Sequence, residues 1–269
     1  MESPSAPRWT TWCRAARALR ASGWWYFSLL PLASLVGEPG AVDVARLLGG
    51  VAVAALCLAY AYGFNGITDR GMDRDAGKNA LAGLVELPRE AAVLVGACAV
   101  GAVAIAAAVS PVALVATLVS LGAATLYSAR LRLKRLPIVG TLVNMLIFAP
   151  LPFVGAVHLP SPGMLVLAYC FCVLVTQNQL LHEIADRHED ATGGVRTTAV
   201  VVGAAGLRVI AVLLGPMAAL LLWRMPVTSL TVLAATLGLC AGAAMVALGD
   251  PERAAQWRVA HRWYSLGVG

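Results

Sequence analysis

The chain has 269 residues, of which 59% are hydrophobic and only 13% charged. Soluble domains carry about a quarter charged residues, so this composition excludes a water-soluble globule; it equally excludes a disordered chain, which needs low hydrophobicity and high charge. A net charge of +6 would suit nucleic acid, but in so apolar a chain it reads as the lysine and arginine excess of cytoplasmic membrane loops, with no nucleic-acid partner.

In chain order, residues 1–22 read as a basic amphipathic segment carrying Arg8, Arg14, Arg17 and Arg20. Apolar runs of membrane-crossing length follow. The first, at 21–37, opens on the interfacial aromatics Trp24, Trp25 and Tyr26 and contains Pro31; the others lie at 46–64, 91–109, 111–127, 138–157, 162–181, 205–223 and 228–248. The tail after Pro251 is a partial ninth span or an interfacial helix anchored by Trp257, Trp263 and Tyr264. The expectation is an all-α fold, a polytopic transmembrane helical bundle of eight to nine spans forming one integral-membrane domain over 1–269. The six cysteines form no CxxC pair and five lie in apolar stretches, so they read as small packing residues.

With the N-terminus in the cytoplasm, eighteen of the twenty lysines and arginines fall on that side, leaving Arg46 and Arg224 outside. This is a strong positive-inside pattern. It places the N-terminus and the charged loops in the cytoplasm, and the expected location is the inner membrane of a bacterium. Three segments are set apart there: a first acidic cap loop at 65–90, a basic loop at 128–137 and a second acidic cap loop at 182–204.

The two acidic segments repeat each other at an offset of 117 residues. Phe64 to Arg70 lies over Leu181 to Arg187, with Ile67 on Ile184, Asp69 on Asp186, Asp73 on Asp190 and Gly77 on Gly194. That offset spans four helices, an even number, so both segments face the same side. The economical architecture is two parallel four-helix repeats.

Asn65, Asp69 and Asp73 are spaced i, i+4, i+8, and His182, Asp186 and Asp190 repeat the spacing, so each trio shares a face wherever the helix continues. Carboxylates one turn apart repel and call for a counter-charge. A hard divalent cation fits: Mg²⁺ takes oxygen ligands, keeps several waters and usually binds through one or two carboxylates plus substrate phosphates. Two such pairs would hold metal on both sides of one diphosphate and neutralise the charge that grows as a carbon–oxygen bond breaks. Asp75 and Glu189 lie off these faces and read as solvated. His182, as the counterpart of Asn65, suits hydrogen bonding better than Mg²⁺ ligation. Glu183 is either a base or acceptor contact or a structural carboxylate. In the basic loop, Lys134 or a neighbouring arginine can neutralise terminal diphosphate oxygens.

These residues resemble the UbiA-type membrane prenyltransferase superfamily, including its terpene-cyclase-like members. Asn65, Asp69 and Asp73 look like its NxxxDxxxD motif, Asp186 and Asp190 like its DxxxD motif, and Tyr127-Ser128 to Lys134 like its YS…RxK segment. The resemblance implies a helical bundle around a central cavity, capped by the acidic loops and open sideways to lipid. It assigns Asp69, Asp73, Asp186 and Asp190 to Mg²⁺ and catalysis. Asn65, Lys78, Tyr127, Arg132, Lys134, His182, Glu183 and Arg196 become substrate contacts. The implied partners are an isoprenyl diphosphate, an aromatic or lipid acceptor and the bilayer. This sequence departs from the pattern at Gly66, where many members have aspartate, at Lys78-Asn79-Ala80-Leu81, where an Arg-Pro often stands, and in a short C-terminus. The first two departures touch the acceptor region more than the ionisation chemistry and are compatible with a cyclase, which needs no acceptor. A transporter is the remote alternative, since transporters place ionisable groups near the midplane and these acids lie at span ends. A lipid-diphosphate phosphatase lacks a nucleophile beside an orienting base.

Overall fold

A computed structural model describes residues 8–33, 43–73, 75–129, 132–224, 229–249 and 253–268. Every regular element among them is helical. The α-helices in chain order are α1 (Arg8–Ala18), α2 (Val44–Asp69), α3 (Arg89–Val109), α4 (Pro111–Ser128), α5 (Val139–Phe148), α6 (Pro162–Thr192), α7 (Thr198–Val202), α8 (Ala204–Leu222), α9 (Ser229–Leu248) and α10 (Ala254–Val268).

Five of these, α2, α3, α4, α6 and α8, are long and apolar enough to cross a membrane; the apolar stretches Val139–Phe153 and Val232–Leu248 are shorter. Starts are set by capping residues. Ser110 and Ser161 each accept a backbone N–H with the side-chain oxygen, and each is followed by a proline in the first helical turn, where its missing N–H costs nothing. Large apolar side chains such as Val100 on α3 and Leu213, Met217 and Leu220 on α8 remain exposed on the spans, as a lipid-facing surface requires.

The expected first span at 21–37 takes another form. Its described part is a 3₁₀ stretch, Trp25–Ala33, with Pro31 inside it, and residues 34–37 lie outside the described residues. Proline removes an N–H and clashes with the carbonyl four residues back, which disfavours an α-helix. At 2.0 Å per residue the nine residues reach about 18 Å, short of the ~30 Å hydrocarbon core. The segment packs inward: Trp24, Tyr26, Phe27 and Leu30 are buried, and the Phe27 ring meets Phe148 at 5.1 Å and Phe171 at 6.0 Å. The expected span at 138–157 is likewise interrupted, with α5 passing into a short 3₁₀ turn, Leu151–Phe153, flanked and filled by Pro150 and Pro152.

Two close approaches tie the bundle. A Cβ on Gly215 of α8 would stand 2.5 Å from the Leu239 carbonyl oxygen of α9, and one on Gly50 of α2 would stand 2.7 Å from Gly155 Cα. Small residues that let backbones meet are the usual basis of helix packing in lipid, where apolar burial gives little driving force.

The acidic trios end up differently placed. α2 stops at Asp69, so Asp73 lies in the turn beyond it. α6 continues unbroken for 31 residues to Thr192, so the second acidic segment, expected as a loop from 182, is helical over its first eleven residues. No glycine or proline interrupts it before Gly193, and Gly194, at φ 69°, turns the chain toward α7.

Candidate functional site

The site begins where α2 runs out. Near this end Asn65 and Asp69 lie one turn apart. The basic loop folds back onto them: Arg132 takes the left-handed conformation at φ 44°, and a 3₁₀ turn, Leu133–Arg135, follows. Lys134 Nζ thereby donates to Asn65 Oδ1 at 2.8 Å and bonds to Asp69 Oδ2. Ser128, at the end of α4, donates to the same Asn65 Oδ1 at 2.9 Å. The loop sits tight on the start of α5, where a Cβ on Gly140 would come within 2.8 Å of the Lys134 carbonyl oxygen. Asp69 is buried, and its Oδ1 has no hydrogen-bond partner. Burial pushes the Lys134 ammonium below the ordinary lysine range, against the opposing pull of Asp69.

Beyond the helix end, the Asp73 N–H donates to the Asp69 carbonyl at 2.9 Å, and Asp73 Oδ2 accepts from Asn79 Nδ2 at 2.8 Å. Asp75 Oδ1 accepts the Gly77 N–H at 2.7 Å, the local turn that such a side chain favours. Lys78 then crosses to the other half of the site and pairs with Glu189 Oε2 of α6 at 3.0 Å. That hydrogen bond raises the Lys78 pKa above its usual value. Glu189 is exposed, as expected, and its pairing with Lys78 is a surface contact between the two acidic segments.

On α6 the expected face is present as a continuous helix. His182 Nδ1 lies 3.1 Å from Asp186 Oδ2, although without the alignment of a hydrogen bond. Asp190 Oδ2 accepts from Thr197 Oγ1 at 3.1 Å. Glu183 points elsewhere: it is buried, accepts from Thr141 Oγ1 at 2.7 Å and Gln179 Nε2 at 3.4 Å, and leaves Oε2 without a partner. Thr198 closes this group, 3.3 Å from Thr141 Oγ1 and accepting the Ile138 N–H at 3.0 Å. The Tyr127 phenol lies within the fields of both Glu183 and Asp69.

The fold therefore brings Asn65, Asp69 and Lys134 together and holds Asp73 just past them. Lys78 links that group to α6. Arg132 turns away and donates to Met72 Sδ; Arg196 is exposed in the segment between α6 and α7. Among the described residues, no three His, Cys, Asp or Glu side chains form a cage for a metal. Sequence reasoning missed Asn79, the Thr141–Gln179–Thr198 group and two cations from the chain ends, Arg20 and Arg258, whose fields reach Asp186. Arg258 is brought in by α10, which docks on α6 through the Asn178 Nδ2 to Arg258 carbonyl bond at 2.8 Å and the buried His261–Gln177 contact at 3.2 Å. A helical contact pattern in the tail carried no sign of this.

An integral-membrane helical bundle with two acidic helix ends and a lysine folded onto the first of them defines the class of protein. The model of the UbiA prenyltransferase family matches residues 25–266, and the chain belongs to that family. Among solved structures, a UbiA homologue from Archaeoglobus fulgidus bound to DMAPP and Mg²⁺ is 19% identical, with 95% of this chain and 98% of that one covered at a TM-score of 0.73. A UbiA homologue from Aeropyrum pernix K1, in its apo form, is 17% identical over 91% and 95% of the two chains at 0.68. A digeranylgeranylglyceryl phosphate synthase is 15% identical over 96% and 97%, also at 0.68. A search of curated proteins finds no match.

Proposed function

We propose that this protein is a Mg²⁺-dependent intramembrane transferase that ionises an isoprenyl diphosphate and passes the prenyl group to an acceptor. The observation that carries the reading is the group Asn65, Asp69 and Lys134, in which a buried carboxylate keeps one oxygen without a partner beside a folded-in ammonium. The donors suit Mg²⁺: they are hard carboxylate oxygens, and Asp69 Oδ1 is a buried oxygen in want of a partner. They occur as pairs, which matches an ion that keeps its waters and fills its shell with substrate phosphate. Bound to Asp69, Asp73, Asp186 and Asp190, it would neutralise charge on the leaving diphosphate.

The remaining roles fall to the chain itself. Lys134 and Lys78, each paired with a carboxylate, would contact diphosphate oxygens, with Arg196 as a further cation and Arg132 joining them only on leaving Met72. When the C1–O bond breaks, its electron pair leaves with the diphosphate, and these ammonium and guanidinium groups meet the charge. Asn65 orients Lys134, and His182 serves as a hydrogen-bonding group beside Asp186. Tyr127 would serve as a substrate contact and Glu183 as a contact to the acceptor. The relative bound to DMAPP and Mg²⁺ supports the substrate class. The distribution of lysine and arginine supports a site on the cytoplasmic side, and the 117-residue offset supports two four-helix repeats.

The test is product analysis by mass spectrometry with Mg²⁺ and allylic diphosphates of several lengths, with acceptors present or omitted. Pyrophosphate release and a prenylated acceptor are expected. No release under any condition would sink the reading, and product formed without an acceptor would place the chain with the cyclases. Asp69→Ala and Asp186→Ala should each abolish turnover in protein that remains membrane-inserted.

A further inference from the structure

We propose that Asn79 is the positioning residue that aims the Asp73 carboxylate into the site, and that Gly66 is the space it requires. The inference rests on the reading of Asp73 as a ligand of the diphosphate-bound cation. Asp73 lies four residues past the end of α2, so no helix fixes it. What does fix it is a side chain that is only 2% exposed. Asn79 Nδ2 donates to Asp73 Oδ2 at 2.8 Å and to the Gly66 carbonyl oxygen at 3.0 Å, while Asn79 Oδ1 accepts the Leu81 N–H at 3.0 Å.

The amide is fully committed. Its two N–H donors go to two acceptors and its oxygen takes a backbone donor. The reverse orientation would set its oxygen against a carbonyl and a carboxylate, so the network dictates which atom is which. Gly66 O belongs to the last turn of α2, so the bond from Asn79 ties the loop to the helix end. One side chain thus holds that loop and pins one oxygen of Asp73, leaving Oδ1 for a cation. A Cβ at position 66 would stand 3.2 Å from Asn79 Oδ1, tight enough that the amide must give by a few tenths of an ångström.

The experiment is a binding cycle in the full-length protein, with no dependence on turnover. Mg²⁺ is titrated in the presence of inorganic pyrophosphate and followed by thermal shift, for wild type, Asn79→Leu, Asp73→Asn, the double variant and Gly66→Ala. Loss of a group that orients a metal ligand typically weakens metal binding 10–100-fold. Asn79→Leu is expected to raise the Mg²⁺ midpoint by about tenfold or more on that basis, and Gly66→Ala to raise it by a smaller factor in the same direction. The double variant should be no weaker than Asp73→Asn alone, because residues acting through one another are not additive. A purely structural role would lower thermal stability and leave the midpoint in place. A midpoint within twofold of wild type in Asn79→Leu, or additive losses in the double variant, overturns the proposal. If Asn79→Leu does not fold, an unshifted Gly66→Ala midpoint does so. Normal binding shifts with no prenyl turnover would instead count against the transferase reading alone.

Discussion

Lys134 and a bound cation would compete for the same carboxylate. The ammonium already occupies Asp69 Oδ2, so Lys134→Met, which keeps an unbranched chain of similar length, should improve Mg²⁺ binding in the absence of diphosphate. A +1 and a +2 charge ~5 Å apart repel by about 1.7 kcal/mol even with the dielectric constant of bulk water. Removing that repulsion tightens Mg²⁺ roughly 15-fold. In turnover the sign reverses. A charge-assisted hydrogen bond is worth about 1.5–3 kcal/mol, so kcat/KM for the prenyl diphosphate should fall roughly 10–150-fold. Calorimetric titration of Mg²⁺ into detergent-solubilised protein, beside steady-state kinetics of pyrophosphate release, reads both effects. Unchanged or weaker Mg²⁺ binding in Lys134→Met would refute the reasoning, because the lysine would then not share Asp69 with the metal.

Two further outcomes follow from the geometry. Burial holds the Lys134 pKa below the usual lysine value, and a divalent cation beside Asp69 would push it the same way. The ammonium is therefore lost below about pH 10.4, and kcat/KM, which reports the free enzyme, should show an alkaline limb there that Lys134→Arg moves out of range. The stability sign is opposite: a lysine with a depressed folded pKa is held charged at a cost, which is relieved as pH rises through that value toward the unfolded one. A wild-type profile flat to pH 10.4 would contradict the assignment. In the bundle, Gly215→Leu must separate α8 from α9, since even a Cβ there falls 2.5 Å from Leu239 O. A cost of about 1–3 kcal/mol is expected, seen as a lowered midpoint in detergent unfolding; a wild-type midpoint would mean the two backbones are not in contact.

Hydropathy located the runs that became α2, α3, α4 and α8 because what charge they carry sits near the helix ends. It was blind to α6 beyond Leu181, where the residues are polar yet still helix-forming and only Gly193 and Gly194 end the helix. It also counted 21–37 as a span, since apolar content does not register that Pro31 changes the rise per residue. In the site, the paired spacing identified Asp69 and Asp73, but α2 ends between them. Four cations crowd the basic loop, and which one reaches Asp69 depends on the left-handed turn at Arg132, a backbone fact that charge cannot disclose. Gly66 and Asn79 looked like two separate departures from the family pattern. They are in contact, Asn79 Nδ2 donating to the Gly66 carbonyl, a proximity that their separation in the chain does not disclose.

The unbroken length of α6 separates two jobs along one helix. At 1.5 Å per residue its 31 residues span about 46 Å, well beyond a hydrocarbon core of ~30 Å. Asp186 and Asp190 lie in its last two turns. Its apolar stretch is 61% buried against the rest of the bundle, and packing against neighbours is what sets the tilt of such a helix. The second acidic pair is thus placed by the packing of the whole bundle, whereas Asp73, beyond the end of α2, is placed by a turn.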